Sequence, residues 1–350
     1  MSLPILSVII PCYNNGDYLA RMLNCCLRQS YQDWEVIVVD DGSTDDTPSI
    51  VRRFTKKDSR ISFYQRERQP KGSVVCRNIG FDKSSGKYVI HFDADDLISD
   101  TCFEHRVLFM ENHPDVDYAS FCAKAFTDEN NLPDYDSKVV TYGVRVKTRD
   151  LLEDFLTTNY SFSVWNNIYR RDAIENYPWD ENVKIQTDFS YIVPGILRGM
   201  KHAFSGLQEV DYYYRYFPDK KRSSNMCSNF VTPEKCKSTL YLFENVFSWL
   251  KQREDYEERK QQFFRFIVLQ FERLIKGGSV ADTDEYVLFI SNYYPEDIVK
   301  RIKTIQRKCY GFKNPKARGA YLDFSLYRHF HYRIYRIQFI HDIAKLLLQR

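Results

Sequence analysis

Four short apolar runs, each followed by turn residues and a helical pattern, leave the first hundred residues few folds to choose from. The runs are Leu6–Ile10, Trp34–Val39, Ile61–Tyr64 and Tyr88–Phe92, and the helical patterns span about 17–29, 46–57, 73–84 and 100–112. The first run lacks polar alternation, as a strand covered on both faces does. Pro11 is expected to end it, and Asn14-Asn15-Gly16 supplies the turn into the first helix. Leu19, Met22, Leu23, Cys26 and Leu27 then recur at the three-and-four spacing of a buried helix face. Before the second helix, Ser43 and Asp46 are placed for a capping box and Pro48 for the first turn. Strand–helix alternation at this spacing predicts a doubly wound, mostly parallel α/β sheet.

In such a sheet the polar residues that follow the strands gather along one edge, where open α/β folds bind ligands. Pro11-Cys-Tyr-Asn14 follows the first strand, Asp40-Asp41 the second and Asp93-Ala-Asp95-Asp96 the fourth. Three carboxylates in four residues make either a solvated acidic turn or a divalent-cation site. A cation there would hold a diphosphate, with Tyr13 and Asp41 near a base and ribose and Arg77 as an additional positive charge. The usual dinucleotide and P-loop patterns, GxGxxG and GxxxxGK[ST], are absent.

Taken together, Pro11-x-Tyr13-Asn14, Val38-Val39-Asp40-Asp41-Gly42-Ser43-Thr44-Asp45, Gly72 with Arg77-Asn78-x-Gly80, and Phe92-Asp93-Ala94-Asp95-Asp96 resemble family 2 glycosyltransferases of the GT-A fold. The resemblance covers about residues 4–225. It implies inverting transfer from a nucleotide sugar, usually a UDP-sugar, to a hydroxyl of a glycan or lipid-linked acceptor in polysaccharide synthesis, with Mn²⁺ or Mg²⁺ at the acidic turn. On that resemblance Pro11, Tyr13, Asp41, Arg77, Asp93 and Asp95 contact the donor, with Asp95 at the ribose. Asp96, together with Asp95, holds the metal. Related enzymes carry a Glu-Asp pair whose Asp is the catalytic base, and Thr187-Asp188 stands at that place, making Asp188 the expected base and leaving the first acid missing. Inversion needs one such carboxylate to deprotonate the acceptor, whereas a glycosidase needs an acid beside the departing oxygen. Asp180 and Glu181 compete with Asp188 for the role, and Asp188 also suits a helix N-cap.

The acceptor half is harder to read. Asp117–Ala125 suggests an edge strand, 127–149 a loop over the site and Leu151–Leu156 a short helix. Phe162–Arg171 suggests a strand or turn, in which Trp165 and Asn166 are either acceptor contacts or core residues. Val210–Tyr216 reads as a strand, with Arg215, Lys221 and Arg222 as phosphate or acceptor candidates or, for the last two, plain surface. The catalytic domain is expected over 1–232 and a helical, basic extension over 233–350. That extension should contain helices over 234–252 and 255–276, then two more within 283–306 divided by Pro295.

Charge is what distinguishes the C-terminus. Residues 301–350 hold twelve Lys or Arg against Asp323 and Asp342, a local charge of +10 within a total of +3, so the preceding residues carry −7. Arg328, Arg333 and Arg336 alternate with Tyr327, Phe330, Tyr332 and Tyr335. Residues 310–350 therefore suit peripheral contact with an anionic membrane, or packing against the acidic body or a second subunit in a homo-oligomer. No nucleic-acid module is recognisable, and no nucleic-acid partner is expected. Nine scattered cysteines without CxxC spacing, and no apolar run long enough to span a bilayer, point to a cytoplasmic protein, peripheral at most at the inner membrane face. A nucleotidyltransferase is the rival enzyme, but Pro11–Gly16 offers no Lys or Arg; a non-catalytic nucleotide-sugar-binding protein is the other alternative.

Overall fold

The computed structural model describes residues 4–144, 150–217, 232–277, 280–312 and 321–322. The chain divides into two compact units, residues 1–155 with 159–224 and residues 156–158 with 225–350.

The first unit opens with β1 (Leu6–Cys12), α1 (Gly16–Leu27), β2 (Trp34–Asp40), α2 (Thr47–Lys57), β3 (Ile61–Gln65), α3 (Ser73–Asp82) and β4 (Tyr88–His91). It continues through β5 (Leu97–Ile98), α4 (Cys102–Asn112), β6 (Tyr118–Ser120), β7 (Ala123–Phe126), β8 (Thr141–Tyr142) and α5 (Leu151–Leu156). A 3₁₀ turn (Val164–Asn166) then leads to β9 (Asn167–Arg170), α6 (Arg171–Ile174), α7 (Thr187–Leu197), β10 (His202–Phe204) and β11 (Tyr212–Arg215). Seven strands form the main sheet in the order β10-β6-β9-β4-β1-β2-β3. Of these, β9 runs against its neighbours; β1–β4 are parallel, so their C-termini share one edge. A smaller sheet, β5-β11-β7-β8, lies beyond the acidic turn in sequence.

The core follows the predicted pattern. Val8, Ile9, Ile10, Val36, Val38 and Val39 are fully buried, as strands covered on both faces require. Helix α3 packs against β1 at Gly80, where a Cβ would stand 2.4 Å from Ile9 Cγ2, so nothing larger than glycine fits without displacing Ile9. Two sequence expectations change. Pro11 does not end β1, which runs on through it to Cys12 paired with β2; the ladder to β4 has already stopped at Ile9–His91, so the missing N–H of proline breaks no bond on that side. Asp117–Ala125 is not one edge strand but two: Tyr118–Ser120 lies inside the main sheet, and Ala123–Phe126 belongs to the small one. Asn166 causes the separation, since its backbone carbonyl accepts Phe121 N (2.9 Å) and its side chain donates to Phe121 O (2.8 Å).

The second unit contains α8 (Pro233–Leu250), α9 (Tyr256–Gly277), α10 (Val280–Tyr293) and α11 (Glu296–Gly311), with Pro295 dividing the last two. Its core is aromatic: Phe243, Phe247, Phe263, Phe266 and Phe271 are fully buried, and Phe247 stacks on Tyr293 at 3.9 Å. Thr232 caps α8 by accepting Lys235 N. Among the described residues no helix is long and apolar enough to cross a membrane.

Candidate active site

The loops after β1 and β2 are built as one piece. Both carboxylate oxygens of Asp40 accept Ser43 N (3.2 and 3.1 Å), and the Ser43 hydroxyl donates to the same carboxylate. That hydroxyl also accepts Asn14 N (2.9 Å), while Asn14 Oδ1 accepts Thr44 N (2.8 Å) and Thr47 Oγ1 accepts Asn15 N (3.0 Å). Ser43 is thus committed to Asp40, and the expected capping box with Asp46 does not form. Gly42, at φ +85°, makes the turn that sets Asp41 beside this loop. Asp41 Oδ1 accepts Arg66 Nε (2.5 Å) and Gly72 N (3.2 Å), so the strand-end acid is fixed by a cation that belongs to none of the sequence motifs. Tyr13 has Lys71 Nζ at 3.3 Å from its ring centroid. Pro11 is buried within β1.

The acidic turn splits into an outward and an inward half. Asp93, whose side chain is 34% exposed, accepts Arg77 Nη2 at 2.5 Å. Asp96 is buried, with Oδ2 accepting Tyr212 OH (2.5 Å) and Oδ1 accepting Arg215 N (2.7 Å). Burial, reinforced by the charges of Asp95 and Asp93, pushes the Asp96 carboxyl well above the usual range. Arg215, a phosphate or acceptor candidate by residue type, is engaged with the turn itself: Nε donates to Asp95 O (2.6 Å) and Nη1 pairs with Glu129 (2.6 Å).

This placement bears on the expected cation. Asp96, the expected metal ligand, has one protein donor on each oxygen, both from β11, which ties the turn to that strand and leaves further lone pairs on the carboxylate. Among the described residues no group of three or more His, Cys, Asp or Glu is arranged as a metal cage. A cation that arrives on a diphosphate needs less, because Mg²⁺-type sites take one or two carboxylates plus substrate phosphates. Asp95, half-buried beside Asp93, fits that smaller donor set.

Asp188 enters from α7. Gln186, at φ +59°, precedes the helix, so Asp188 is the second helical residue and not the N-cap. Ser163 donates its hydroxyl to Asp188 Oδ2, and the neighbouring Thr187 side chain also favours the charged form. Burial raises the Asp188 carboxyl above its ordinary value; Arg77 opposes this, and Asp93 adds to it. Arg77 therefore acts on both acids, from a buried position with its guanidinium carbon 4.9 Å from the Trp179 ring. Trp179 stacks on Tyr191 (4.1 Å), which stacks on Tyr177 (4.9 Å), and this aromatic column backs Arg77. The competing acids are engaged elsewhere. Glu181 makes a two-pronged pair with Arg68 (2.6 and 2.5 Å) and accepts Asn78 Nδ2 (2.8 Å), and Asp180 closes its own turn on Asn182 N (3.0 Å).

Trp165 and Asn166 take the core alternative. Trp165 lies flat on Tyr212 (4.8 Å) and Tyr214 (5.4 Å), and Asn166 is fully buried. Beneath them Arg106 holds Asp211 with two bonds (2.7 and 3.1 Å) and reaches the carbonyls of Trp165 and Asn167 (3.2 Å each). Sequence reasoning missed Ser163, Arg66 and this buried pair. Arg106 in a helix of apolar residues and Asp211 beside an aromatic run were the available signals. Lys221, Arg222 and most of 310–350 lie outside the described residues.

Residues 7–178 match the model of "Glycosyl transferase family 2". An "Uncharacterized glycosyltransferase" of Haemophilus influenzae is 33% identical over 177 residues, covering 50% of this chain and 66% of the relative. The "Minor teichoic acid biosynthesis protein GgaB" of Bacillus subtilis is 26% identical over 317 residues, 85% of this chain but 33% of the relative. The chain thus spans less than two thirds of either relative's own length. Among solved structures, S. aureus TarS 1–349 in complex with UDP-GlcNAc aligns with TM-score 0.61 at 18% identity, covering 92% of this chain and 91% of that one, which is a likeness of fold.

Proposed function

The chain belongs to glycosyl transferase family 2 and is a glycosyltransferase of the GT-A fold, with a Rossmann-like parallel core and a helical C-terminal extension; from that premise we propose that it transfers a sugar, with inversion, from a UDP-sugar to an acceptor hydroxyl. Residues 1–232 form the catalytic domain in this reading and 233–350 the extension. The observation that carries it is the charge neighbourhood in which Arg77, bound to Asp93, also acts on Asp188. A donor-binding acid and a base must meet at one sugar carbon, and these two share one buried cation.

Asp41 and Tyr13 border the nucleoside, with Arg66 and Gly72 holding Asp41 in place. Asp95, with Asp93, would hold a Mn²⁺ or Mg²⁺ ion, which when bound neutralises charge on the diphosphate. Asp96 keeps the turn fixed to β11 through Tyr212 and Arg215. Asp188 takes the proton as the acceptor O–H breaks; the acceptor oxygen bonds to the anomeric carbon, and the sugar–diphosphate bond breaks with its electron pair leaving on the diphosphate. Thr187 in place of a second acid leaves Asp188 with a hydroxyl neighbour in place of a like charge.

The acceptor in this proposal is a glycan or lipid-linked intermediate of polysaccharide assembly. The GgaB relative, named for teichoic acid biosynthesis, supports that setting. The basic segment 310–350 would bring the enzyme to the inner face of an anionic membrane from the cytoplasm, and a liposome flotation assay with and without it tests this. The donor is tested by titrating UDP-, GDP- and dTDP-sugars with and without Mn²⁺. Metal-dependent binding of a UDP-sugar supports the reading, and preference for another nucleotide replaces the donor assignment.

A further inference from the structure

Among the described residues, the hydroxyl that meets the candidate base comes from a segment that is itself immobilised. Ser163 is 8% exposed, and its backbone N–H donates to Asn166 Oδ1 (2.8 Å), with the Asn166 side chain donating in turn to Phe121 O (2.8 Å). Gly143 seals the far side, since a Cβ there would stand 1.8 Å from Phe121 O and 2.5 Å from Asn166 Nδ2. Trp165 stacks on Tyr212, and Arg106 clamps the carbonyls on either side of Asn166. Asp188, by contrast, sits in the first turn of α7, where backbone alone leaves its side chain a choice of rotamers.

We propose that Ser163 is a positioning residue for the transfer, selecting the orientation and the ionised form of the Asp188 carboxylate through its hydroxyl. This rests on reading Asp188 as the base. A carboxylate has about four lone-pair sites, so the bond from Ser163 leaves capacity for an acceptor hydroxyl. The charged and titratable groups facing Asp188 are Arg77 from α3, Asp93 from the acidic turn, Tyr142 from β8 and Tyr169 from β9. Arg77 is the positive one among these, and Asp93 already shares it. Beside Arg77, the Ser163 hydroxyl is the neutral donor that favours the ionised form against burial. The same contact links the two halves of the centre: Ser163 precedes Trp165, which lies on Tyr212, whose hydroxyl holds Asp96.

The test is a pH titration of the aspartate carboxyl carbons in ¹³C-aspartate-labelled full-length protein, with Asp188→Asn identifying the Asp188 signal. A hydrogen bond to a charged group is worth about 1.5 kcal/mol, so Ser163→Ala should raise the Asp188 midpoint by about one pH unit. Ser163→Thr, which restores a hydroxyl, should keep it within about 0.3 units of wild type. Where alanine disturbs the fold, Ser163→Cys offers a similar size and a weaker donor and should shift the midpoint in the same direction. A midpoint unmoved in a folded Ser163→Ala or Ser163→Cys protein overturns the inference. Full turnover by Asp188→Asn would instead remove the base itself, a failure distinguishable from an unmoved titration.

Discussion

On the donor side, Asp40, Asp41 and Asp93–Asp96 stand where β2 and β4 end, and parallel pairing with β1 carries them to one edge. On the acceptor side, Asp188 is brought in by contacts between segments far apart in sequence: Ser163 to α7, Trp165 to β11, and Arg106 in α4 to Asp211. The first arrangement follows from backbone topology, with side chains trimming it. The second depends on individual side chains, several of them buried and charged, so it should be the easier to break.

The largest effect is expected beneath the acceptor side. Arg106→Leu would leave Asp211 buried without its cation, and breaking a buried pair from one partner costs about 3–5 kcal/mol. Chemical denaturation should show this loss; a variant as stable as wild type would mean that the acceptor side does not depend on the pair.

Within the acidic turn the contrast is between neighbours. Asp96→Ala strands the buried Arg215 N–H and the Tyr212 hydroxyl and should cost about 1–3 kcal/mol of stability. Asp95→Ala, at a half-buried position, should cost less stability than Asp96→Ala while weakening Mn²⁺-dependent UDP binding. Calorimetry on both proteins separates the roles, and the reverse pattern would return the metal to Asp96.

A smaller shift is expected in the pH profile. The base works ionised, and burial holds the Asp188 carboxyl above its ordinary value, so activity should fall on acidification at a pH above about 3.9, the value for a free aspartate. An acid limb at or below that value would contradict the partly buried position of Asp188.

The same contrast explains what could be read from the chain. The first four strands, their helices and the edge carrying Asp41 and Asp93–Asp96 were legible because each follows from local periodicity and one topological rule. Which of the adjacent acids is tied to β11 was not. Asp95 and Asp96 are adjacent and identical in sequence, and only the partners on β11 turn one of them inward. Asp117–Ala125 misled for a related reason, since two short stretches look like one strand until Asn166 claims the backbone between them. Ser163 carried no signal, because a serine near a tryptophan is unremarkable until α7 places a carboxylate against it.

Comparing Asp188→Asn with wild type, for UDP-sugar transfer and for UDP binding in Mn²⁺ on the same samples, tests the central claim most directly. Loss of a positioned base predicts turnover lower by about 10²–10⁴-fold with UDP affinity unchanged. Transfer at the wild-type rate would contradict it.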